Sequence, residues 1–339
     1  MASQALQAPQ VQDAFRWLEQ TSQPSKAHLE FKRFIPPSVV RNHFNKERIK
    51  SILTATYDGH TPFGRLARDI VDKGCTLVFL ILLRLEKVAL INEFTRLHRY
   101  SDRFLPFTHA DGFPIGVAFE EFQAHQQIYC ATPMRGGESR HDDVSILPII
   151  EKEEIAQGSS AIIHRVKIHN EYDELGQDPN VDVRTYLLIP LQQSGRPQDA
   201  DTDVQSSERH IYVTKTFRAA ADYEAENRAY ERIEAMGMPI ESLLKCFGCY
   251  TYNDTYVVIL EHANRGTWEK FMEEEKPPER PEDKLALWRG LMKLGQAVHR
   301  IHIAKGWVSK ATSQYQANSH LAGGIRTSIL TTLCFISNL

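Results

Sequence analysis

The apolar residues of this 339-residue chain change period once, near residue 140, and that change restricts the possible folds more than any other feature. Before it, hydrophobic side chains recur at helical spacing. After it they come in short runs rich in Val, Ile and aromatic residues. A helix puts residues three and four apart on one face, whereas a strand sends successive side chains to opposite faces, so one element cannot serve both patterns. The chain is therefore expected to be α+β, with a helical region over residues 1–140 and a sheet-containing domain from about residue 146.

Within the first region, Pro36-Pro37-Ser38 can open a helix, because proline is tolerated in a first turn. Val39, Val40, Phe44, Ile49, Ile52 and Leu53 follow at near-helical spacing. Leu66, Ile70 and Val71 belong to a second amphipathic segment. A third, spanning 77–97, carries Leu77, Leu80, Ile81, Val88, Ile91 and Phe94 as one broad stripe, and Leu105-Pro106-Phe107 ends it. The apolar run Cys75 to Leu83 stops at Arg84, Glu86 and Lys87. A membrane span needs about twenty such residues, so this run predicts a buried core helix. Phe119, Phe122 and Tyr129 form a short aromatic segment ahead of the polar boundary around Arg135-Gly136-Gly137.

Past Ile146-Leu147-Pro148, strands are predicted over 162–169, 211–217 and 256–260, the last following the turn Asn253-Asp254. Between the first two lies an insert, residues 170–210, with nine acidic residues against three arginines; its Gly, Pro, Ser and Asp content predicts mostly solvated loop. A long helix is predicted from Pro281 to about Ala304, its apolar face carrying Leu285, Trp288, Leu291, Met292, Leu294 and Val298 among others.

Charge and cysteine content narrow the partners. A net charge of −3 predicts no general attraction to nucleic acid or to an anionic membrane. Nothing in the first twenty residues has the continuous apolar core of a targeting peptide. Five scattered cysteines favour a reducing compartment, hence cytoplasm or nucleus. Cys246-Phe-Gly-Cys249 has no second pair at zinc-ligand spacing, and in a strand the two thiols are expected to point to opposite faces.

Four segments carry a chemical pattern. Ile155-Ala156-Gln157-Gly158-Ser159-Ser160-Ala161-Ile162-Ile163 is a run of small residues between two strand-like runs, suited to close approach by phosphate. Tyr212-Val213-Thr214-Lys215 places a lysine in a strand. Glu226 follows on a helical stretch that shares its face with Tyr230 and Ile233, with Glu224 as the rival acid. Tyr256 to Leu260 is an apolar strand running into Glu261-His262-Ala263-Asn264-Arg265-Gly266. Leu291 to Trp307 continues the last helix to a glycine. Phosphoryl transfer needs these parts: backbone near phosphate, a lysine on it, and an acid holding the lysine.

In this order the segments resemble the front part of a eukaryotic-type protein kinase domain of the Ser/Thr class. The helical region, Ile146-Leu147-Pro148 and the Val166-Lys167-Ile168-His169 strand are similar to a group of fungal kinase-like proteins. The resemblance implies a kinase-like small lobe, an antiparallel sheet with one long helix, and then the first helices of the larger lobe. It implies ATP as ligand, with magnesium arriving only on the ATP. Ala156, Gly158 and Ala161 would form the phosphate loop, with alanines where two of the family's glycines stand. Ile163 would cover the adenine, Val213 would be a further cofactor-binding residue, Lys215 and Glu226 would form the catalytic ion pair, Leu260 would be the gatekeeper, and the backbone of Glu261 and Ala263 would pair with the adenine edge.

The resemblance stops at Gly306-Trp307, where the family's catalytic loop should begin. After Asp283 the remaining 56 residues contain no Asp and no Glu, although the average over the chain (43 in 339) predicts about seven. The catalytic base and the metal-binding aspartate are both missing, so the chain is expected to be inactive and to bind ATP weakly. The stretch 308–339 has no kinase likeness. It is expected to be translated non-coding sequence, since the splice-donor sequence GTAAGT reads Val-Ser in frame, as in Val308-Ser309; a divergent C-terminus is the alternative. Domain limits are thus 1–140, 146–307 and 308–339. Two functional classes remain: an incomplete Ser/Thr protein kinase, or a non-catalytic interaction module, a pseudokinase acting through its helical region with a protein partner not identified by the sequence.

Overall fold

The computed structural model describes residues 6–27, 32–57, 63–114, 116–176, 210–235, 244–263 and 278–306. The chain is α+β and divides into two compact units. One comprises Met1–Met134 with Val144–Ile150 and His169–Tyr172; the other comprises Arg135–Asp143, Glu151–Ile168 and Asp173–Leu339. A single cut near 140–146 was expected, yet the units interleave. Phe34, Ala131, Ile146 and Tyr172 bury one another, which draws two later segments into the helical unit.

The helical unit contains α1 (Pro9–Thr21), α2 (Pro37–His43), α3 (Lys46–Thr56), α4 (Gly64–Asp72), α5 (Thr76–Arg84), α6 (Ile91–Arg96) and α7 (Phe119–Gln126). The stripe from Val39 to Leu53 is two helices rather than one. Asn45 stands between them, and its side chain accepts the Arg48 N–H at 3.0 Å, so α3 starts on its own cap. The 77–97 stripe also divides. Every residue from Thr76 to Leu83 is buried, as expected of a core helix. The backbone then turns left-handed at Glu86 (φ 58°), and the N–H groups of Glu86 and Lys87 bond back to Leu83 and Leu82. Arg84, Glu86 and Lys87 around that turn are exposed and have nothing to gain from burial, which is why the apolar stripe resumes on a separate helix, α6.

The start of α5 has no side-chain cap of its own, since Cys75 occupies that position. Asp102, far along the chain, supplies it: Oδ1 accepts the N–H groups of Leu77 and Val78 at 3.0 and 3.1 Å. Beside it Phe94, Tyr100, Phe107, Phe113 and Phe122 pack ring against ring. Gln126, fully buried, accepts the Phe107 N–H at 2.8 Å and donates to the Phe107 carbonyl at 2.9 Å. Its amide is thereby satisfied inside an aromatic core, as a buried polar group must be.

Four strands of two residues each are β1 (Gln23–Pro24), β2 (Arg33–Phe34), β3 (Met134–Arg135) and β7 (Asp173–Glu174). The longer strands are β4 (Gly137–His141), β5 (Ile149–Gln157), β6 (Ala161–Ile168), β8 (Ile211–Phe217), β9 (Cys246–Tyr252) and β10 (Thr255–Glu261). The second unit is built on these six as one sheet, in the order β4-β9-β10-β8-β6-β5. Pairings β6–β8, β8–β10 and β10–β9 are antiparallel. The expectation of a purely antiparallel sheet is corrected at one edge, where β4 lies parallel to β9. This strand is polar, Gly-Glu-Ser-Arg-His, with none of its five residues fully buried, so no apolar run marks it in the sequence. At the other edge β5 exposes Glu151 through Gln157. Its Glu151-Lys152-Glu153-Glu154 run discourages pairing with another chain.

The helix α8 (Ala220–Ala235) connects β8 to β9 and packs on β8 and β10. Helix α9 (Pro281–Gly306) covers the predicted 281–304 span. Leu285, Trp288 and Met292 on it remain 50%, 65% and 64% exposed. Residues 308–339 and most of the acidic insert lie outside the described residues.

The Cys246-Cys249 pair departs from expectation. The β9–β10 register shifts between Ile259 and Leu260, so Cys249 faces Val258, Gly248 faces Ile259, and Cys246 faces Leu260. Phe247 is the extra residue of a bulge. Val258 and Leu260 share a face, and so, across the bulge, do both thiols, which pack on the same core cluster. Burial pushes the Cys246 thiol up to about 12 and raises Cys249 as well. Both stay protonated and unreactive.

Close approach at this bulge requires Gly248. A Cβ there would stand 2.4 Å from the Gly137 carbonyl oxygen and 2.7 Å from its nitrogen, both backbone atoms of β4 that cannot swing aside. Gly248→Ala is expected to destabilise the protein by about 1–3 kcal/mol through local strain and loss of the β4 pairing. Denaturant unfolding measures the loss, and faster amide exchange over residues 137–141 locates it. A wild-type stability with unchanged exchange would refute the close approach.

Candidate functional site

Strand alternation places Val213, Lys215 and Phe217 of β8 on one face of the sheet. On that face Lys215 lies between Ile163 of β6 and Val258 of β10; Phe217 lies opposite Ala161, and Val213 opposite Leu260. Helix α8 covers part of the same face through Tyr223 and Glu226, both buried. The Lys215 ammonium donates to Glu226 Oε2 at 2.5 Å, with the two side chains only 6% and 4% exposed. The ammonium also lies 5.1 Å from the Phe217 ring centre. Glu224, the rival acid, points outward instead: it is 63% exposed and pairs with Arg228 at 3.8 Å. The i, i+3 relation of Tyr223 and Glu226 explains the choice, because the turn that buries the aromatic ring also turns Glu226 inward.

The small-residue segment is a hairpin turn between β5 and β6. Gly158 donates its N–H to the Ala161 carbonyl at 2.8 Å, and the Arg218 N–H bonds to Ser160 at 3.1 Å. A Cβ on Gly158 would meet only the Ala161 oxygen, at an ordinary 3.6 Å, so the turn itself does not require glycine. Ala156 is exposed, Ala161 is buried and Ile163 is half-buried. Four of the predicted cofactor contacts, Ala161, Ile163, Val213 and Lys215, thus share one sheet face, with Ala156 and Gly158 in the adjoining hairpin.

At the end of β10 the backbone of Glu261 is partly committed. Its N–H donates to the Lys245 carbonyl at 2.9 Å, and its carboxylate accepts the Lys245 N–H at 3.1 Å. Ala263 is buried just beyond the strand. Asn264, Arg265, Gly266 and Thr267 lie outside the described residues.

One polar cluster in this unit has no counterpart in the sequence reasoning. Asp173 Oδ2 accepts a hydrogen bond from His210 Nδ1 at 2.7 Å and from the Tyr212 hydroxyl at 2.7 Å. Burial, reinforced by that carboxylate, raises the Tyr212 hydroxyl well above the ordinary tyrosine range, so it remains a donor. The cluster joins the two ends of the acidic insert. Its members are 37 and 39 residues apart, and no local spacing rule connects them.

Among the described residues no group of three or more His, Cys, Asp and Glu side chains is arranged to hold a metal ion. None of their helices is long and apolar enough to cross a membrane. No protein-family model matches the chain, and no curated protein matches it in sequence.

Proposed function

We propose that residues 149–261 form the small lobe of a protein-kinase-like domain, which binds ATP weakly on the Lys215 face and transfers no phosphate. The observation that carries this reading is the buried Lys215–Glu226 pair, formed between the third strand of the sheet counted from β5 and the helix that follows it. Protein kinases place their phosphate lysine on the third strand and its glutamate partner on the next helix. A lysine and glutamate used only for stability would fare as well as two apolar side chains, so burying both charges points to a chemical use. Ala161, Ile163 and Val213 share the Lys215 face, with Ala156 and Gly158 in the adjoining hairpin and Glu261 at the end of the neighbouring strand, which supports the nucleotide reading.

Catalysis is a separate matter. A positioned base contributes about 10²- to 10⁴-fold, and a second acid must hold magnesium on the phosphates. The chain has no acidic residue beyond Asp283 to serve either role. With labelled ATP, magnesium and a generic protein substrate, phosphate incorporation is expected to equal that of an enzyme-free blank. Calorimetry should give an ATP Kd of roughly 1 mM or weaker, about −4 kcal/mol. Transfer above the blank would overturn the inactivity, and a low-micromolar Kd would overturn weak binding. Complete absence of ATP binding at ten-millimolar concentrations (~10 mM, well above that Kd) would remove the nucleotide reading altogether.

A further inference from the structure

The tight turns that follow α6 carry a cluster with no part in the nucleotide reading. Over residues 96–110 the exposed charged side chains are Arg96, Arg99 and Arg103, with His98 and His109 beside them; the one acidic residue, Asp102, is buried. Leu97 and Phe104 are exposed on the same turns, at 37% and 46%. Two of the arginines are held in place. The Arg103 guanidinium lies 4.5 Å from the Phe104 ring centre and donates to His98 Nδ1 at 2.8 Å. The Arg99 guanidinium lies 5.0 Å from the Tyr100 ring centre and donates to the Gly112 carbonyl at 3.1 Å.

We infer that this patch, Arg96 to Phe104, docks a carboxylate-rich peptide segment of a protein partner, with an apolar side chain of that segment resting on Leu97 and Phe104. A guanidinium offers five N–H donors in a planar fork that matches a carboxylate. Among the described residues, each of these two donates one hydrogen bond within the chain, which leaves donors for a ligand. Stacking on the rings removes side-chain freedom in advance, so docking loses less entropy. Between Arg96 and Ala110 the exposed charges are all positive; the exposed acids Glu93 and Asp111 flank this stretch and leave the three arginines in excess. A membrane surface fits less well: it is bound by a long helical face with a continuous apolar strip, whereas here two separate apolar groups sit on short turns.

The test uses the full chain and a fluorescein-labelled peptide of glutamates flanking one phenylalanine, with a glutamine counterpart as control. Anisotropy should show binding of the glutamate peptide that weakens steeply with added salt. Arg99→Gln combined with Arg103→Gln should reduce affinity by about tenfold or more. Phe104→Ala should weaken binding while leaving the salt dependence unchanged. A thermal melt checks that each variant is folded. If the double variant melts early because the Gly112 contact is lost, the single variants Arg103→Gln and Phe104→Ala decide the question. Equal binding of the glutamine peptide, indifference to these substitutions, or adsorption to phosphatidylserine vesicles with no peptide binding would each overturn the inference.

Discussion

Lys215→Met is expected to destabilise the sheet unit by about 3–5 kcal/mol, the loss that follows when one member of a buried ion pair is left uncompensated. Glu226→Leu should cost a similar amount for the same reason. Both side chains are almost fully withdrawn from water, at 6% and 4% exposure, so the surviving charge has no solvent to turn to. The double variant should recover most of the loss, because two apolar groups of similar size need no desolvation. Urea unfolding of the four proteins measures the coupling as a double-mutant cycle. If each single substitution costs under about 1 kcal/mol, the range of exposed ion pairs, then the pair is not buried in solution. The size of the expected loss also bears on activity measurements: a methionine at position 215 would remove a structural contact along with any phosphate contact.

The second large effect lies in the helical unit, at Asp102. Burial pushes its carboxyl up to about 6, against the opposing pull of the Leu77 and Val78 N–H groups and the Arg41 charge. Its folded value therefore lies above the unfolded one of about 3.9. The folded state binds the proton more tightly, so this site's contribution to stability is complete below about pH 4 and is lost as the pH rises through about 6. The gap corresponds to on the order of 3 kcal/mol. Asp102→Asn keeps an oxygen for the α5 N–H groups but cannot titrate. The stability difference between wild type and Asp102→Asn should thus shift by roughly 2–3 kcal/mol in favour of wild type from pH 7 to pH 4. Asp102→Ala, which leaves the first turn of α5 without its acceptor, should cost about 1–2 kcal/mol near pH 7 and roughly 2–3 kcal/mol more near pH 4, because alanine does not titrate either. Parallel stability curves for wild type and the Asn variant would show that the carboxyl is not buried as described.

What could be read from the residues is what depends on near neighbours. The change of apolar period near residue 140 announces α+β. The unbroken run from Thr76 to Leu83 announces a helix buried on all sides, and Ile211 to Phe217 announces a strand, because each signal is complete within a few residues. The inward direction of Glu226 was legible too, since it shares a helical face with Tyr230 and Ile233. What escaped depends on partners remote in sequence. β4 is a strand only because β9 offers it an edge, and its own residues carry no preference for one. The two thiols of Cys246 and Cys249 share a face because β9 bulges against β10, which the strand's own spacing contradicts. α5 is capped by Asp102 and not by the residue at its start, and Asp173 meets His210 across an insert of dozens of residues. The Arg–aromatic patch is of the same kind: only the fold brings Arg103 to His98 and Arg99 to Gly112. Periodicity and local chemistry thus determine which segments are helices, which are strands and which lysine is a candidate for phosphate. Which strand ends the sheet, which side chain caps α5 and which residues meet Asp173 were decided by tertiary structure, because hydrogen bonding and desolvation act on distance in space and are blind to distance along the chain.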